Sequence, residues 1–287
     1  MDGALHGAVG SPGSGDLDTA YGRHFTLDRP GCQVHCWLAG QDGAPLVTLS
    51  HAALVDHTLF VHQLPALTDR YRVLTWDIRG HGRSRPLTGP FSVPDAAADL
   101  AAVLDELRAE RAVMLGHSMG SYVGQEMTFR HPGRVSALIV IDGTCITADP
   151  GRVGRAELRM AGPMMRAWPY GSLKKASVEQ SAENEDTRAY LRHQFDALTK
   201  AEFLKIMDGV DRCIHPEPGY RLPVPALLIL GEKDRTGDIA TTMPAWAARE
   251  PQAEYAVIAG AGHCSNYDQP ERTNDVILPF LRRNLPG

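Results

Sequence analysis

The chain has 287 residues, of which 43% are hydrophobic and 22% are charged, proportions that are ordinary for a globular protein. The formal net charge of -5 gives no electrostatic footprint for nucleic acid, so we expect no nucleic-acid partner. No apolar run approaches the roughly 20 residues needed to span a bilayer, and we expect no membrane partner either.

The beginning of the chain and its cysteines bear on the cellular compartment. Residues 1–20 are rich in Gly, Ser, Ala and Asp and lack the basic start and apolar stretch of a secretory signal, so they predict a flexible extension. The five cysteines are scattered and odd in number, which is not the pattern of a disulfide framework. Cys32 and Cys36 have no second ligand pair nearby that would complete a zinc site. We therefore predict reduced thiols, a cytoplasmic location and no bound metal.

The first half of the chain alternates between strand and helix patterns. Strands are predicted over 21–28, 32–39, 46–49, 72–76, 112–115 and 135–141, and helices over 57–68, from Ser92 onward, and over 119–130. Pro65 should limit or kink the first of these helices, because proline has no backbone N–H to donate.

The second half begins with a stretch in which strand patterns are missing. Residues 145–222 carry helical patterns rich in Met, Arg and Glu, which indicate a helical insertion. The alternation then resumes, with strands over 226–230 and 255–258 and helices over 238–248 and 270–283. Pro279 should kink or split the last helix. Eight strands alternating with helices predict an α/β fold with a mostly parallel sheet that is flanked by helices.

A short motif follows the predicted strand that ends at Leu115. Gly116-His117-Ser118-Met119-Gly120 has the G-x-S-x-G pattern of a nucleophile elbow, and a helix pattern starts directly after it. The sharp turn forces the serine into a strained backbone conformation, and residues two positions away on either side must be small. The motif therefore predicts that Ser118 is a nucleophile.

A serine hydroxyl needs a base within reach, and the base needs an acid that orients it. His263 lies on a Gly-rich loop after the last predicted strand, and Asp234 follows the strand before it. Both positions place side chains at the carboxyl edge of a parallel sheet, beside Ser118. Asp142, after the strand ending at Ile141, is the alternative acid, although we expect it to cap the start of the insertion.

At this point the chain resembles the α/β-hydrolases with a helical cap, from Tyr21 to Leu285. It is similar in particular to the 3-oxoadipate enol-lactonase and esterase branch, through residues 49–56, residues 63–67 and the motif Asp77-x-Arg79-Gly80-His81-Gly82-x-Ser84. The resemblance implies a hydrolase core over 21–144 and 223–287, with a helical cap over 145–222. It also implies an oxyanion hole of backbone N–H groups from Met119 and from Ala53, or from Ala52 in its place.

Together these features predict a cofactor-independent serine hydrolase with the triad Ser118, Asp234 and His263. Its partner would be a small-molecule carboxylic ester or lactone, cleaved through an acyl-enzyme intermediate. Three alternatives stay open. A perhydrolase or a C–C bond hydrolase would use the same triad, and a small-molecule receptor on this fold would turn its ligand over very slowly.

Overall fold

The computed structural model describes residues 20–285 of the chain. The flexible extension predicted over residues 1–20 therefore lies outside the described residues, apart from Ala20. The described residues form one sheet with helices around it, and four of these helices lie between the sixth and seventh strands.

Eight strands form a single sheet in the order β1-β2-β4-β3-β5-β6-β7-β8. Their bounds are β1 Arg23–Arg29, β2 Cys32–Ala39, β3 Leu46–Ser50, β4 Arg72–Asp77, β5 Ala112–His117, β6 Val135–Ile141, β7 Ala226–Gly231 and β8 Ala253–Ile258. The pairs β1–β2 and β2–β4 are antiparallel, and every other pair is parallel. The predicted α/β fold with a mostly parallel eight-stranded sheet is thus confirmed.

The central strands are apolar on both faces, which is typical of a parallel sheet covered by helices on each side. Every residue of β3, β5 and β7 is buried, whereas β8 at the edge of the sheet has mostly exposed or half-buried residues. Continuous burial explains why these strands appear in the sequence as short, unbroken apolar runs. The parallel pairing of β5, β6, β7 and β8 places their carboxyl ends along one edge of the sheet.

The helices around the sheet agree with most of the predicted ones. They are α1 Leu64–Thr68, α2 Val93–Glu106, α3 Met119–Arg130, α4 Gly151–Ala167, α5 Tyr170–Ser181, α6 Glu185–Asp196, α7 Lys200–Asp211, α8 Ile239–Arg249, α9 Ser265–Asp268 and α10 Pro270–Asn284, with short 3-10 turns at His57–Phe60 and Pro132–Arg134. Within the described residues, none of these helices is both long and apolar enough to cross a bilayer.

Two helical predictions need correction, and proline is involved in both. The helix predicted over 57–68 is a 3-10 turn followed by α1, and Pro65 lies in the first turn of α1, where a missing N–H costs nothing. The last helix runs from Pro270 to Asn284 and is not split at Pro279, while a kink at that proline stays a prediction. Phe280 and Leu281 are fully buried beside that proline, and we attribute the unbroken helix to this packing.

Helices α4 to α7 occupy the stretch for which the sequence predicts an insertion. They pack on one another through aromatic side chains: the rings of Tyr170 and Phe195 lie 5.8 Å and 6.3 Å from that of Phe203, each edge-on. The Tyr170 hydroxyl also donates to the Leu198 carbonyl at 2.8 Å. Between β6 and β7 the described chain contains no strand.

Candidate active site

Ser118 lies in the sharp turn between β5 and α3. Its backbone has φ 49° and ψ -118°, a strained conformation that a non-glycine residue rarely adopts. The Ser118 N–H donates to the Ile141 carbonyl at 2.8 Å, which ties the turn to the end of β6. The strain is typical of a residue whose side chain must be presented in a fixed direction.

The two glycines of the motif are required by contact distances rather than by backbone angles. A Cβ on Gly116 would lie 2.3 Å from the carbonyl carbon of Gly120, and a Cβ on Gly120 would lie 1.9 Å from the carbonyl oxygen of Ser50. Neither approach is sterically possible, since carbon and oxygen need more than 3 Å. The requirement for small residues on either side of Ser118 therefore follows from the packing of α3 against β3 and β5.

His263 and Asp234 form a buried pair at the same edge of the sheet. Nδ1 of His263 donates to Oδ2 of Asp234 at 2.9 Å, and Oδ1 of Asp234 accepts from the Thr236 N–H at 2.8 Å. The side chains are almost fully removed from solvent. With Nδ1 engaged in this way, Nε2 is the imidazole nitrogen left for proton transfer.

The electrostatics of this pair favour the charged state of both partners. Burial would lower the pKa of His263, but the charge of Asp234, their hydrogen bond and the charge of Asp142 outweigh it and raise the pKa. Burial would raise the pKa of Asp234, yet the charge and hydrogen bond of His263 hold it below its usual value. Asp234 is therefore an ionised carboxylate, able to stabilise an imidazolium.

The carboxylate of Asp142, the alternative acid, contacts two backbone amides instead of the imidazole. Oδ1 accepts from the Gly231 N–H at 2.6 Å, and Oδ2 accepts from the Ser265 N–H at 3.0 Å. These amides flank the loops that carry Asp234 and His263. The expectation that Asp142 caps the start of the insertion is thus wrong, because its carboxylate lies between the two loops.

Two neighbouring histidines hold the loops of the site. Nε2 of His117 donates to the backbone carbonyl of His263 at 2.6 Å, and burial lowers the pKa of His117 to about 3, which keeps it neutral. His51 donates from Nδ1 to the Ala52 carbonyl at 2.7 Å and accepts the Ile78 N–H on Nε2 at 2.9 Å. The backbone carbonyl that accepts from His117 lies 146 residues away in the chain, so this contact could not be anticipated from the sequence.

Ser118 and His263 line one cavity of about 310 Å³. Its wall combines the loop after β3 with side chains from α4 to α7, and the latter are Met165, Trp168, Leu173, Ser177, Gln180, Ser181, Leu191, Phe195, Phe203 and Met207. None of the residues that line this cavity is Asp, Glu, Lys or Arg. The cavity thus presents an apolar surface with a few hydroxyl and amide groups.

Two of the residues predicted for the oxyanion hole line the same cavity, and the third is adjacent to Ser118 in the chain. Ala52 and Ala53 belong to its wall, and Met119, fully buried, is the first residue of α3. The first N–H groups of a helix have no partner within that helix, which is why the Met119 amide stays a predicted donor to an anion. Among the residues that the structure describes, no cluster of three or more His, Cys, Asp or Glu could hold a metal ion.

The architecture agrees with a comparison against known families. The model of the alpha/beta hydrolase family matches residues 5–276, almost the whole chain. The chain belongs to the alpha/beta hydrolase family. Its resemblance to the 3-oxoadipate enol-lactonase and esterase branch is borne out by its enol-lactonase relatives.

Two relatives align over most of the chain. The 3-oxoadipate enol-lactonase 2 of Acinetobacter baylyi is 25% identical over 85% of this chain and 91% of its own length. The dihydrolipoyllysine-residue acetyltransferase component of the acetoin cleaving system of Pseudomonas putida is 30% identical over 94% of this chain and 72% of its own length. A relative from Caulobacter segnis is 38% identical, but the aligned part spans only 44% of its length.

The fold comparison gives the same result. The crystal structure of the enol-lactonase from Burkholderia xenovorans superposes with a TM-score of 0.77 and covers 90% of this chain and 99% of its own, at 24% identity. At this identity the likeness shows the fold alone. The family match and the enol-lactonase relative together support hydrolase activity.

Proposed function

We propose that the protein is a serine hydrolase that cleaves a carboxylic ester or lactone through an acyl-enzyme intermediate. The observation that carries the proposal is the buried His263–Asp234 pair, 2.9 Å apart, because His263 lines the same cavity as the strained Ser118. Each of the three side chains follows a parallel strand, and together they supply a nucleophile, a base and the acid that orients the base.

In the first half of the reaction, Nε2 of His263 takes the proton of the Ser118 hydroxyl as Oγ attacks the carbonyl carbon. The tetrahedral intermediate carries its negative charge on the former carbonyl oxygen, which the Met119 and Ala53 amides stabilise by hydrogen bonds. Asp234 stabilises the imidazolium. His263 then protonates the leaving alkoxide, and the acyl group stays on Ser118.

In the second half, His263 takes a proton from water, and the resulting hydroxide attacks the acyl-enzyme. Collapse of the second intermediate releases the carboxylic acid and returns the proton to Ser118. The proposed cap, α4 to α7, supplies much of the apolar wall of the cavity and excludes bulk water from these steps. We assign it to residues 145–222, with the hydrolase core formed by 21–144 and 223–287.

The cavity wall also restricts the substrate. Because no Asp, Glu, Lys or Arg side chain lines it, and the His263 imidazole is already paired with Asp234, a charged acyl or alcohol group would lose its hydration without gaining a partner. A volume of 310 Å³ corresponds to on the order of ten water molecules. We therefore propose an uncharged ester or lactone with on the order of ten non-hydrogen atoms inside the cavity.

Substitution of the nucleophile tests the proposal. We expect Ser118→Ala to lower the turnover of a short-chain p-nitrophenyl ester by at least about 10³-fold, with the thermal unfolding midpoint retained. Ser177→Ala is the matched control, since it removes another hydroxyl from the same cavity wall and should keep most of the activity. Undiminished turnover in Ser118→Ala would contradict the assignment. Many turnovers per wild-type molecule would exclude a slow receptor.

A further inference from the structure

Helix α4, Gly151–Ala167, has an unusual distribution of side chains. None of its residues is fully buried. The side turned toward the protein is half-buried and includes Gly154, Leu158 and Met165, which are spaced at helical intervals. A helix that packs through so few large side chains leaves most of its circumference exposed.

The opposite side of α4 carries an apolar stripe in solvent. Val153, Met160 and Met164 are 72%, 55% and 58% exposed, and their spacing of seven and four residues places them on one face. Trp168, 42% exposed, ends the helix. These four account for most of the large hydrophobic side chains that are exposed among the described residues, the others being Tyr255 and Val257. Such a cluster of exposed apolar side chains indicates an interaction surface.

A basic row runs along one side of this stripe. Arg152, Arg155, Arg159 and Arg166 are all exposed and share one side of the helix, whereas Glu157 is its sole acidic residue. Asp149 pairs with Arg155, and Asp208 lies 3.9 Å from Arg166, while the chain as a whole is acidic. Arg152 and Arg159, which form no ion pair among the described residues, therefore supply most of the local positive charge.

We propose that the apolar stripe of α4, Val153, Met160, Met164 and Trp168, docks on an anionic lipid surface. A helix with an exposed apolar face and arginines beside it is the type that lies in the headgroup region, with the apolar side chains inserted and the cations near lipid phosphates. A second copy of the chain fits less well, because a symmetric contact would bring the two arginine rows to the same interface.

The docking surface adjoins the candidate active site. Met165 and Trp168, at the C-terminal end of α4, line the cavity that contains Ser118. A lipid surface bound along α4 would thus lie beside the cavity wall. We expect no membrane partner from the sequence because no segment is long enough to span a bilayer. Binding to a lipid surface does not require a spanning segment. The inference does not depend on the chemistry proposed for Ser118.

The chain contains its own reporter of docking. Of its four tryptophans, Trp37, Trp76 and Trp246 are buried, so a change in tryptophan emission on adding vesicles reports on Trp168. We expect equimolar phosphatidylcholine and phosphatidylglycerol vesicles to shift the emission to shorter wavelength and to co-sediment the protein. Pure phosphatidylcholine vesicles should bind it at least about tenfold more weakly, because the arginines lose their anionic partners.

Two sets of variants test the surface itself. Met160→Glu with Met164→Glu should reduce vesicle binding at least about tenfold, whereas Val257→Glu, an equally exposed apolar residue on β8, should not. Arg152→Gln with Arg159→Gln leaves the stripe intact and should weaken binding to anionic vesicles only. Hydrolysis of a water-soluble ester and the unfolding midpoint verify that each variant is folded.

Three results would overturn the inference. The first is wild-type protein that neither co-sediments with anionic vesicles nor changes its emission. The second is vesicle binding that both sets of variants leave unchanged. The third is a concentration-dependent dimer in sedimentation velocity that the paired Met variants abolish, because a second copy would then cover the stripe.

Discussion

The choice between the two buried aspartates is the sharpest prediction from the site geometry. In Asp234→Asn, one of two oxygens becomes an NH₂ group, while both original oxygens accept hydrogen bonds, from the Thr236 N–H and from Nδ1 of His263. If the amide oxygen faces Thr236, its NH₂ group faces Nδ1 and forces the proton of His263 onto Nε2. If the amide is reversed, two buried donors oppose each other at Thr236, which costs roughly 1–3 kcal/mol. The first orientation is favoured, and it disables the base.

The magnitude follows from the role of the tautomer. A histidine protonated on Nε2 and unprotonated on Nδ1 cannot accept the serine proton, and the imidazolium also loses its counter-charge. We expect kcat to fall by about 10⁴-fold, which corresponds to roughly 5.4 kcal/mol of transition-state stabilisation. The fold should be retained, since Asp and Asn have nearly the same shape.

Asp142→Asn is the matched comparison, because it makes the same chemical change at the other aspartate. One of the Gly231 and Ser265 N–H groups would then face an NH₂ group, which lowers the free energy of unfolding by roughly 1–3 kcal/mol. Small displacements of the two loops should cost at most about 10²-fold in kcat. Both variants are compared by steady-state hydrolysis of a p-nitrophenyl ester and by urea unfolding. A larger loss of kcat in folded Asp142→Asn than in Asp234→Asn would refute the reasoning.

Two further predictions concern the elbow and the base. Gly120→Ala places a methyl group 1.9 Å from the Ser50 carbonyl oxygen, and in urea unfolding it should lower the free energy of unfolding by at least about 1–3 kcal/mol. Gly171→Ala on α5 is the control. A Cβ at Gly171 would have no neighbouring atom within 4 Å, so this variant should be neutral or stabilising. The pKa of His263 is raised and its neutral form is the base, so kcat/KM should increase with pH through a midpoint above that of an ordinary histidine. Asp234→Asn should move this midpoint to lower pH. A midpoint that rises instead would contradict the assigned charge of Asp234.

The sequence predicts the fold well because its local signals are consistent with one another. The central strands are uninterrupted apolar runs, and α3 and β6 have the predicted bounds. The errors occur where a local rule competes with packing. Pro279 disfavours a helix locally, but α10 continues through it, and the apolar residues beside it are buried against the core. Such packing depends on distant residues and has no signature within the helix itself.

The candidate site is predictable in outline for a topological reason. Parallel strands end along one edge of the sheet, so residues placed just after β5, β7 and β8 must converge. The partners of Asp142 could not be predicted, because its two backbone donors lie 89 and 123 residues away in the chain. The catalytic roles of Ser118, Asp234 and His263 and of the Met119 and Ala53 amides stay predictions until the variants are measured.

The roles of the two aspartates can be argued from their different surroundings. Asp234 faces an imidazole, and its pKa is lowered; Asp142 faces backbone amides in a fully buried position, and burial raises its pKa to about 7. Two carboxyl groups in one site whose pKa values are shifted in opposite directions are suited to different roles. Asp234 carries a full negative charge below neutral pH and Asp142 does not, so Asp234 supplies most of the charge that offsets the one developing on His263. Asp142 keeps its contacts with the Gly231 and Ser265 amides in either protonation state, since a neutral carboxyl group still accepts hydrogen bonds. We therefore infer that Asp142 positions the loops of the acid and the base, and that its own charge is not required for the reaction.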